Sequence, residues 1–174
     1  LIKETATSFC RPDVIKSRLF RPLSVTETDC LSGDSLTTNY QYDKKGNIIG
    51  IRHPDGTESC VIWGFGGLYP VALIEGCLPE SITSIPGFES IADAPLESGL
   101  GALESSLRVH LPATAEASTF QYLPLVGLVK ETSPDGRHTD YVYNNSGKLK
   151  SILDNAGARL KYFFYSPDNK QSVL

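Results

Sequence analysis

The sequence predicts a mainly β fold: antiparallel hairpin repeats in a twisted meander, interrupted by helices at about 78–111. Three observations carry that expectation. The segment 38–63 recurs at 139–164 with a constant offset of 101, so that Tyr40 and Tyr42 fall on Tyr141 and Tyr143, Gly46 on Gly147, Ile51 on Ile152 and Gly56 on Gly157. Each copy sets aromatics at i and i+2 ahead of a Gly/Asn/Asp turn, which is one face of a strand followed by a reversal. Between the copies, leucines recur at 96, 100, 103, 107 and 111, the spacing of one helical face.

Taken in order, residues 1–36 supply leading strands and 37–77 the first repeat with an aromatic and glycine-rich segment. Within the repeat, turns are expected at 43–47 and at Pro54, Asp55 and Gly56, where Gly and Asp tolerate or cap a left-handed backbone. Ile48 and Ile51, matched by Leu149 and Ile152, are three residues apart, which strict alternation puts on opposite faces. Either a β-bulge intervenes or both faces are partly buried.

Residues 78–111 read as the helical insertion. Leu78, Ile82 and Ile85 suggest a short helix broken at Pro86 and Gly87. The leucine helix that follows has Asp93 as N-cap, Pro95 in its first turn, an expected Glu104–Arg108 i,i+4 pair and Pro112 as its stop. Residues 112–174 carry two further repeats: one starts at Phe120 and Tyr122 and turns at Asp135 and Gly136, the next starts at Tyr141 and turns at 144–147 and 155–157. The whole is expected to be a single domain.

Composition excludes several classes of partner. Forty per cent of the 174 residues are hydrophobic and 21% charged, and a net charge of −4 with interspersed signs offers no footprint for a phosphate backbone. The longest apolar stretch, Cys60 to Ile74, is interrupted by glycines and a proline and falls short of the roughly 20 residues a bilayer needs. With no methionine, the chain is expected to be a processed product or a piece of a longer one. Cys10, Cys30, Cys60 and Cys77 form no CxxC pair and have no histidine at ligand spacing, so no metal is expected. Buried free thiols are the favoured reading, with one or two disulfides open if the protein is secreted.

The run YQYDKKGNIIGIRHPDG resembles the YD repeat of bacterial Rhs and YD-repeat proteins. VIWGFGGLYPVALIEG looks like the WGYNGxYPIAxI segment of one branch of them, and the stretch from TFQYLPLVGLVKE onward is similar to that branch's TYxPLxGLxSxTDPxGxxTxYxYDxxGRLxxI pattern. The likeness covers 37–165, and more weakly 14–26, where RPLS echoes the strand before the first repeat. It implies a β-sheet spiral, a hollow shell in toxin-carrying members, on secreted or cell-surface proteins. Two departures matter: Asn144 stands where the repeat has its Asp, and the DPxG pair of the self-cleaving element is missing, so autoproteolysis is not carried over.

Candidate chemistry is sparse. His53, His110 and His138 are the available bases, without a GxSxG or a cysteine in catalytic context, and are expected to be structural. Asp43, Asp55, Asp135 and Asp154 all sit at turns, where capping explains them better than acid–base catalysis. Trp63, Phe65 and Tyr69, with Gly64, Gly66 and Gly67 between, could stack on a sugar, though packing between the sheet and the helical insertion is favoured. The expectation is therefore a structural or interaction segment of a larger protein, not an enzyme and without a cofactor. Its partners would be adjacent repeats or domains, with an edge-mediated dimer in isolation. The rival is a module binding cell-surface glycans or proteins through Trp63, Phe65 and Tyr69.

Overall fold

The computed structural model describes residues 3–10, 21–85, 96–165 and 171–173, with the backbone alone for residues 10, 96–100 and 171–173. Twelve strands form one sheet in which each strand is hydrogen-bonded to its neighbours in sequence. They are β1 (Lys3–Cys10), β2 (Arg21–Asp29), β3 (Ser35–Tyr42), β4 (Ile48–Arg52), β5 (Glu58–Gly64), β6 (Tyr69–Glu75), β7 (Glu116–Leu123), β8 (Gly127–Thr132), β9 (His138–Tyr143), β10 (Leu149–Leu153), β11 (Arg159–Tyr165) and β12 (Gln171–Val173). Among the described residues, two helices, α1 (Pro79–Thr83) and α2 (Leu96–His110), lie between β6 and β7. The mainly β, antiparallel architecture with few helices is as the repeats predict.

The turns explain why these residues reverse the chain. Asp43 N–H donates to Asn47 O and Gly46 N–H to Asp43 O, both at 3.0 Å. The same two bonds recur at His53–Thr57, Ser133–Arg137, Asn144–Lys148 and Asp154–Ala158. In each, the glycine at the fourth position is left-handed, as at Gly46 (φ 89°) and Gly147 (φ 72°), a conformation that a side chain makes costly.

The spacing of Ile48 and Ile51 is resolved by a bulge. Tyr42 opposes Ile48 while Gln41 opposes Gly50, so Ile49 is the extra residue, and Ile51 returns to the Tyr face opposite Tyr40. Leu23, Val71, Val129 and Lys150 are the extra residues at the equivalent places in β1–β2, β5–β6, β7–β8 and β9–β10. The bulge is therefore part of the repeat, and it marks β1–β2 and β5–β6 as copies too diverged to see in the sequence.

Burial concentrates where the helices cover the sheet. Cys60, Ile62, Val71, Ala72 and Ile74 from β5 and β6 pack with Cys77, with Ile82 and Ile85 in and just after α1, and with Leu103 and Leu107 of α2. Leu111 is half-buried against them. Elsewhere strands are mostly half-exposed, so this one patch supplies the core, each buried leucine contributing about 1.5–3 kcal/mol. The side chains of Leu96 and Leu100, like Asp93, Pro95, Pro86 and Gly87, lie outside the described residues.

Two expectations are corrected. Glu104 does not pair with Arg108: its Oε1 accepts the hydroxyl of buried Thr119 on β7 at 2.6 Å, because α2 lies against that strand and a nearly dry partner outcompetes an exposed cation. Cys30 is exposed in the β2–β3 turn, which the helices of the insertion do not reach among the described residues, whereas Cys60 and Cys77 are buried free thiols. The Cys10 side chain lies outside the described residues.

Candidate functional site

The register separates two faces. Cys60 opposes Ile74 and Ile74 opposes Ala117, while Ile62, Ala72 and Thr119 are likewise opposite one another; these point toward the helices. Alternation along each strand then puts Tyr40, Tyr42, Val61, Trp63, Phe120, Tyr122, Tyr141 and Tyr143 on the other face.

On that face, consecutive hairpins are keyed together by side-chain donors. Tyr42 Oη donates to Pro22 O, Trp63 Nε1 to Ile48 O, Tyr143 Oη to Leu128 O and Tyr165 Oη to Leu149 O, each at 2.8 Å. In every case the acceptor is the residue just before the bulge of the preceding hairpin, paired there with Phe9, Tyr42, Tyr122 or Tyr143. The bulge breaks regular pairing at that point and turns the carbonyl toward the next ring. At two of these steps the ring is held from a second side by the residue ahead of the acceptor. Arg21 lies over Tyr42 at 5.7 Å and Lys148 over Tyr165 at 5.1 Å, while Tyr69 stacks on Tyr122 at 4.9 Å across the step where the insertion intervenes. Gly127 fills that position before Tyr143, where a Cβ would come within 2.6 Å of Tyr143 Oη.

Trp63 thus occupies the place of a repeat tyrosine. Its ring is half-buried, leaves β5 on the opposite side from Ile62, and has its N–H committed. Odd positions of β5 point to the opposite side from Ile62, and the groove that Trp63 lines still reaches Pro79 and Ile82 of α1. Phe65, in the following turn with φ 52°, packs against the core and meets Tyr69 edge-on at 5.5 Å. Phe65 and Tyr69 are therefore brought together, while Trp63 lines a separate open groove of about 520 Å³ with Tyr42, Lys45, Pro79 and Ile82.

The turn carboxylates cap their own backbone. Asp43 Oδ1 accepts Asn47 N–H at 2.8 Å, Asp55 Oδ1 accepts Thr57 N–H at 2.9 Å, Asp135 Oδ1 accepts Arg137 N–H at 3.0 Å, and Asp154 Oδ1 accepts Ala158 N–H at 2.8 Å. Asn144 Oδ1 makes the same bond to Lys148 N–H at 3.0 Å. The position calls for an acceptor oxygen, not a charge, and this is why Asn substitutes for Asp. Thr57's bonds also hold the Asp55 carboxyl below its ordinary value.

The histidines are dispersed. His53 Nε2 is 3.1 Å from Ser59 Oγ, His110 Nδ1 is 2.8 Å from Ser106 O, and His138 Nε2 is 3.6 Å from Asp140 Oδ2. Among the described residues no three His, Cys, Asp or Glu side chains are placed to hold a metal. No described helix is long and apolar enough to cross a membrane.

The sequence reading missed Arg21, Lys148 and Tyr165, and the carbonyls of Pro22, Ile48, Leu128 and Leu149. Phe163 and Tyr165, an aromatic pair at i and i+2, were a usable signal for the last hairpin. The carbonyls left none, since any residue supplies one.

These features define a class: an antiparallel hairpin-repeat sheet whose repeats interlock through an aromatic-to-carbonyl ladder. No protein-family model matches the chain, and no curated protein matches it in sequence. Among solved structures the chain is similar to TcdB2-TccC3-TEV, with a TM-score of 0.51 and 12% identity over 97% of this chain and 9% of that one. It is also similar to TcdB2-TccC3 without its hypervariable C-terminal region, with a TM-score of 0.52 and the same identity and coverage, 12% over 97% and 9%. The chain spans about 9% of the length of these chains. The likeness is one of fold, consistent at that level with a YD-repeat protein.

Proposed function

We propose that this chain is a wall segment of a larger YD-repeat protein of the Rhs type, secreted or displayed at the cell surface, and has no catalytic activity of its own. The ladder carries this reading. A bond passed back to the preceding hairpin at four steps, with a ring stack at the step across the insertion, makes the sheet a self-extending surface, and it occupies the aromatics that a binding site would need to free. The fold likeness to a small part of much longer chains supports the same view. The partners of such a wall are hairpins adjoining β1 and β12, the outermost strands of the sheet. Phe9 stands at the ladder position of β1, opposite Pro22 and exposed, as an adjoining hairpin would require.

The test is a structure of the longer gene product by electron microscopy. Hairpins paired to both β1 and β12 with the bulge register continued are expected; edges left open to solvent or capped by unrelated domains would overturn the proposal. A second reading, a glycan- or protein-binding module, rests on the groove beside Trp63. Trp63 is the sole tryptophan, so its emission reports that groove directly. A saturable shift on adding oligosaccharides would favour this second reading over the first.

A further inference from the structure

The core holds a pair of cysteines that the wall reading does not use. Cys60 lies on β5 and Cys77 in the link between β6 and α1, exposed by only 1% and 3%. Cys60 Sγ donates to Cys77 O at 2.6 Å and Cys77 Sγ donates to Leu78 O at 3.4 Å, so the Cys60 thiol lies directly against residue 77. The third described cysteine, Cys30, is exposed in a turn.

Of the six pairs that four cysteines could form, geometry leaves one. Cys10 opposes Arg21 at one end of β2, and Cys30 follows Asp29 at the other. Nine residues of strand separate them by roughly 27–30 Å, far beyond the ~7 Å a disulfide spans. Cys30 is likewise three strand spacings from β5, roughly 14 Å. Only Cys60 and Cys77 are neighbours.

We propose that Cys60 and Cys77 form a disulfide that locks the entrance of the helical insertion onto the sheet. The oxidant is a small-molecule disulfide of the glutathione class. α1 is five residues long and has no side-chain N-cap, so it opens more readily than the sheet and frees Cys77. The Cys77 thiolate attacks the oxidant's S–S bond, releasing one thiol and leaving a mixed disulfide. Cys60, deprotonated, then displaces the second thiol. Two protein thiols lose two electrons and two protons, and one oxidant disulfide becomes two thiols. Burial and the neighbouring Cys77 push the Cys60 thiol pKa up, so closure is slow in the folded chain and favoured during folding. The inference stands apart from the wall reading: it concerns how the insertion is fastened, whatever adjoins the sheet.

The whole chain is unfolded and refolded in a glutathione buffer containing both thiol and disulfide forms, alkylated under denaturing conditions and digested after glutamate. Cleavage at Glu58, Glu75 and Glu80 places the two cysteines in separate peptides. A linked pair of peptides 59–75 and 76–80 is expected, with Cys30 alkylated. Relative to the reduced chain, the oxidised one should melt about 5–10 °C higher. Cys30→Ser should keep the link and this gain; Cys60→Ser should lose both. Should Cys60→Ser fail to fold, the peptide map of the native sequence decides alone. Alkylation of both Cys60 and Cys77 after refolding, or linkage of either to Cys10 or Cys30, overturns the proposal.

Discussion

Replacing Tyr143 by Phe tests the ladder at its best-defined step. The substitution removes one oxygen and leaves the ring, so the packing is kept while Leu128 O loses a donor at 2.8 Å. A neutral hydrogen bond in a half-buried position contributes about 1 kcal/mol, and the unpaired carbonyl adds up to about 1 kcal/mol where water does not reach it. With about 2–4 °C per kcal/mol for a chain of this size, the melting temperature should fall by about 3–6 °C. Tyr42 and Tyr165 make the same bond to Pro22 O and Leu149 O. The triple Phe variant should therefore lose about 3–5 kcal/mol if the steps act independently. Tyr162→Phe is the control: its ring lies under Arg159 and beside Phe164, outside the ladder. Urea titrations followed by far-ultraviolet circular dichroism measure all of these. A triple variant within about 0.5 kcal/mol of the Tyr162→Phe control would refute the claim that the ladder holds the hairpins in register.

Three further outcomes follow from the same structure. Asn144→Ala should cost about 1 kcal/mol in urea unfolding and Asn144→Asp close to nothing, since the turn needs an oxygen for Lys148 N–H and not a charge; equal losses from both would contradict this. Leu103→Asp should destabilise by several kcal/mol by placing an unpaired carboxylate in a site 3% exposed, while Val109→Asp on the solvent side, 77% exposed, should be nearly neutral; near-neutrality of both would mean α2 is peripheral. Stability should also fall in alkali. Burial raises the pKa values of Tyr143, Tyr141 and Tyr122 above their ordinary value of 10.0, with Glu131's hydrogen bond adding at Tyr141 and its charge at Tyr122. The folded chain then holds protons that the unfolded one releases. The stabilisation is full below pH 10 and is lost as pH rises through the folded values. The Tyr141→Phe/Tyr143→Phe double variant should show a shallower decline between pH 9 and 11.

How much of this was legible follows from which interactions have a sequence signature. Turn chemistry does: an acceptor oxygen and a left-handed glycine at fixed spacing announced five reversals. Strand aromatics at i and i+2 did too, in three hairpins. The insertion was readable from leucine periodicity. What escaped depends on backbone geometry. The bulge that carries Ile48 and Ile51 onto one face looks in sequence like a lapse in alternation, and the acceptor carbonyls belong to Pro22, Ile48, Leu128 and Leu149, whose apolar side chains do not reveal where the backbone carbonyl points. The Glu104–Arg108 expectation was drawn from a helix in isolation, and it gave way because β7 offered Thr119 in a drier place.

The placement of Trp63 shows why the candidate site and the scaffold are hard to tell apart by residue type. An aromatic flanked by glycines suggests a ligand platform when seen alone. In the sheet it stands where Tyr42, Tyr143 and Tyr165 stand in other hairpins, with the only hydrogen-bond donor of its ring spent on Ile48 O. Trp63→Tyr should then preserve the keying bond and most of the stability, while Trp63→Leu should lose both, costing about 2–4 kcal/mol from the bond and the lost ring area together. Unfolding of the two variants by heat and urea makes the comparison. If Tyr were as damaging as Leu, the position would demand an indole for a reason other than the ladder, and the groove beside it would become the better explanation.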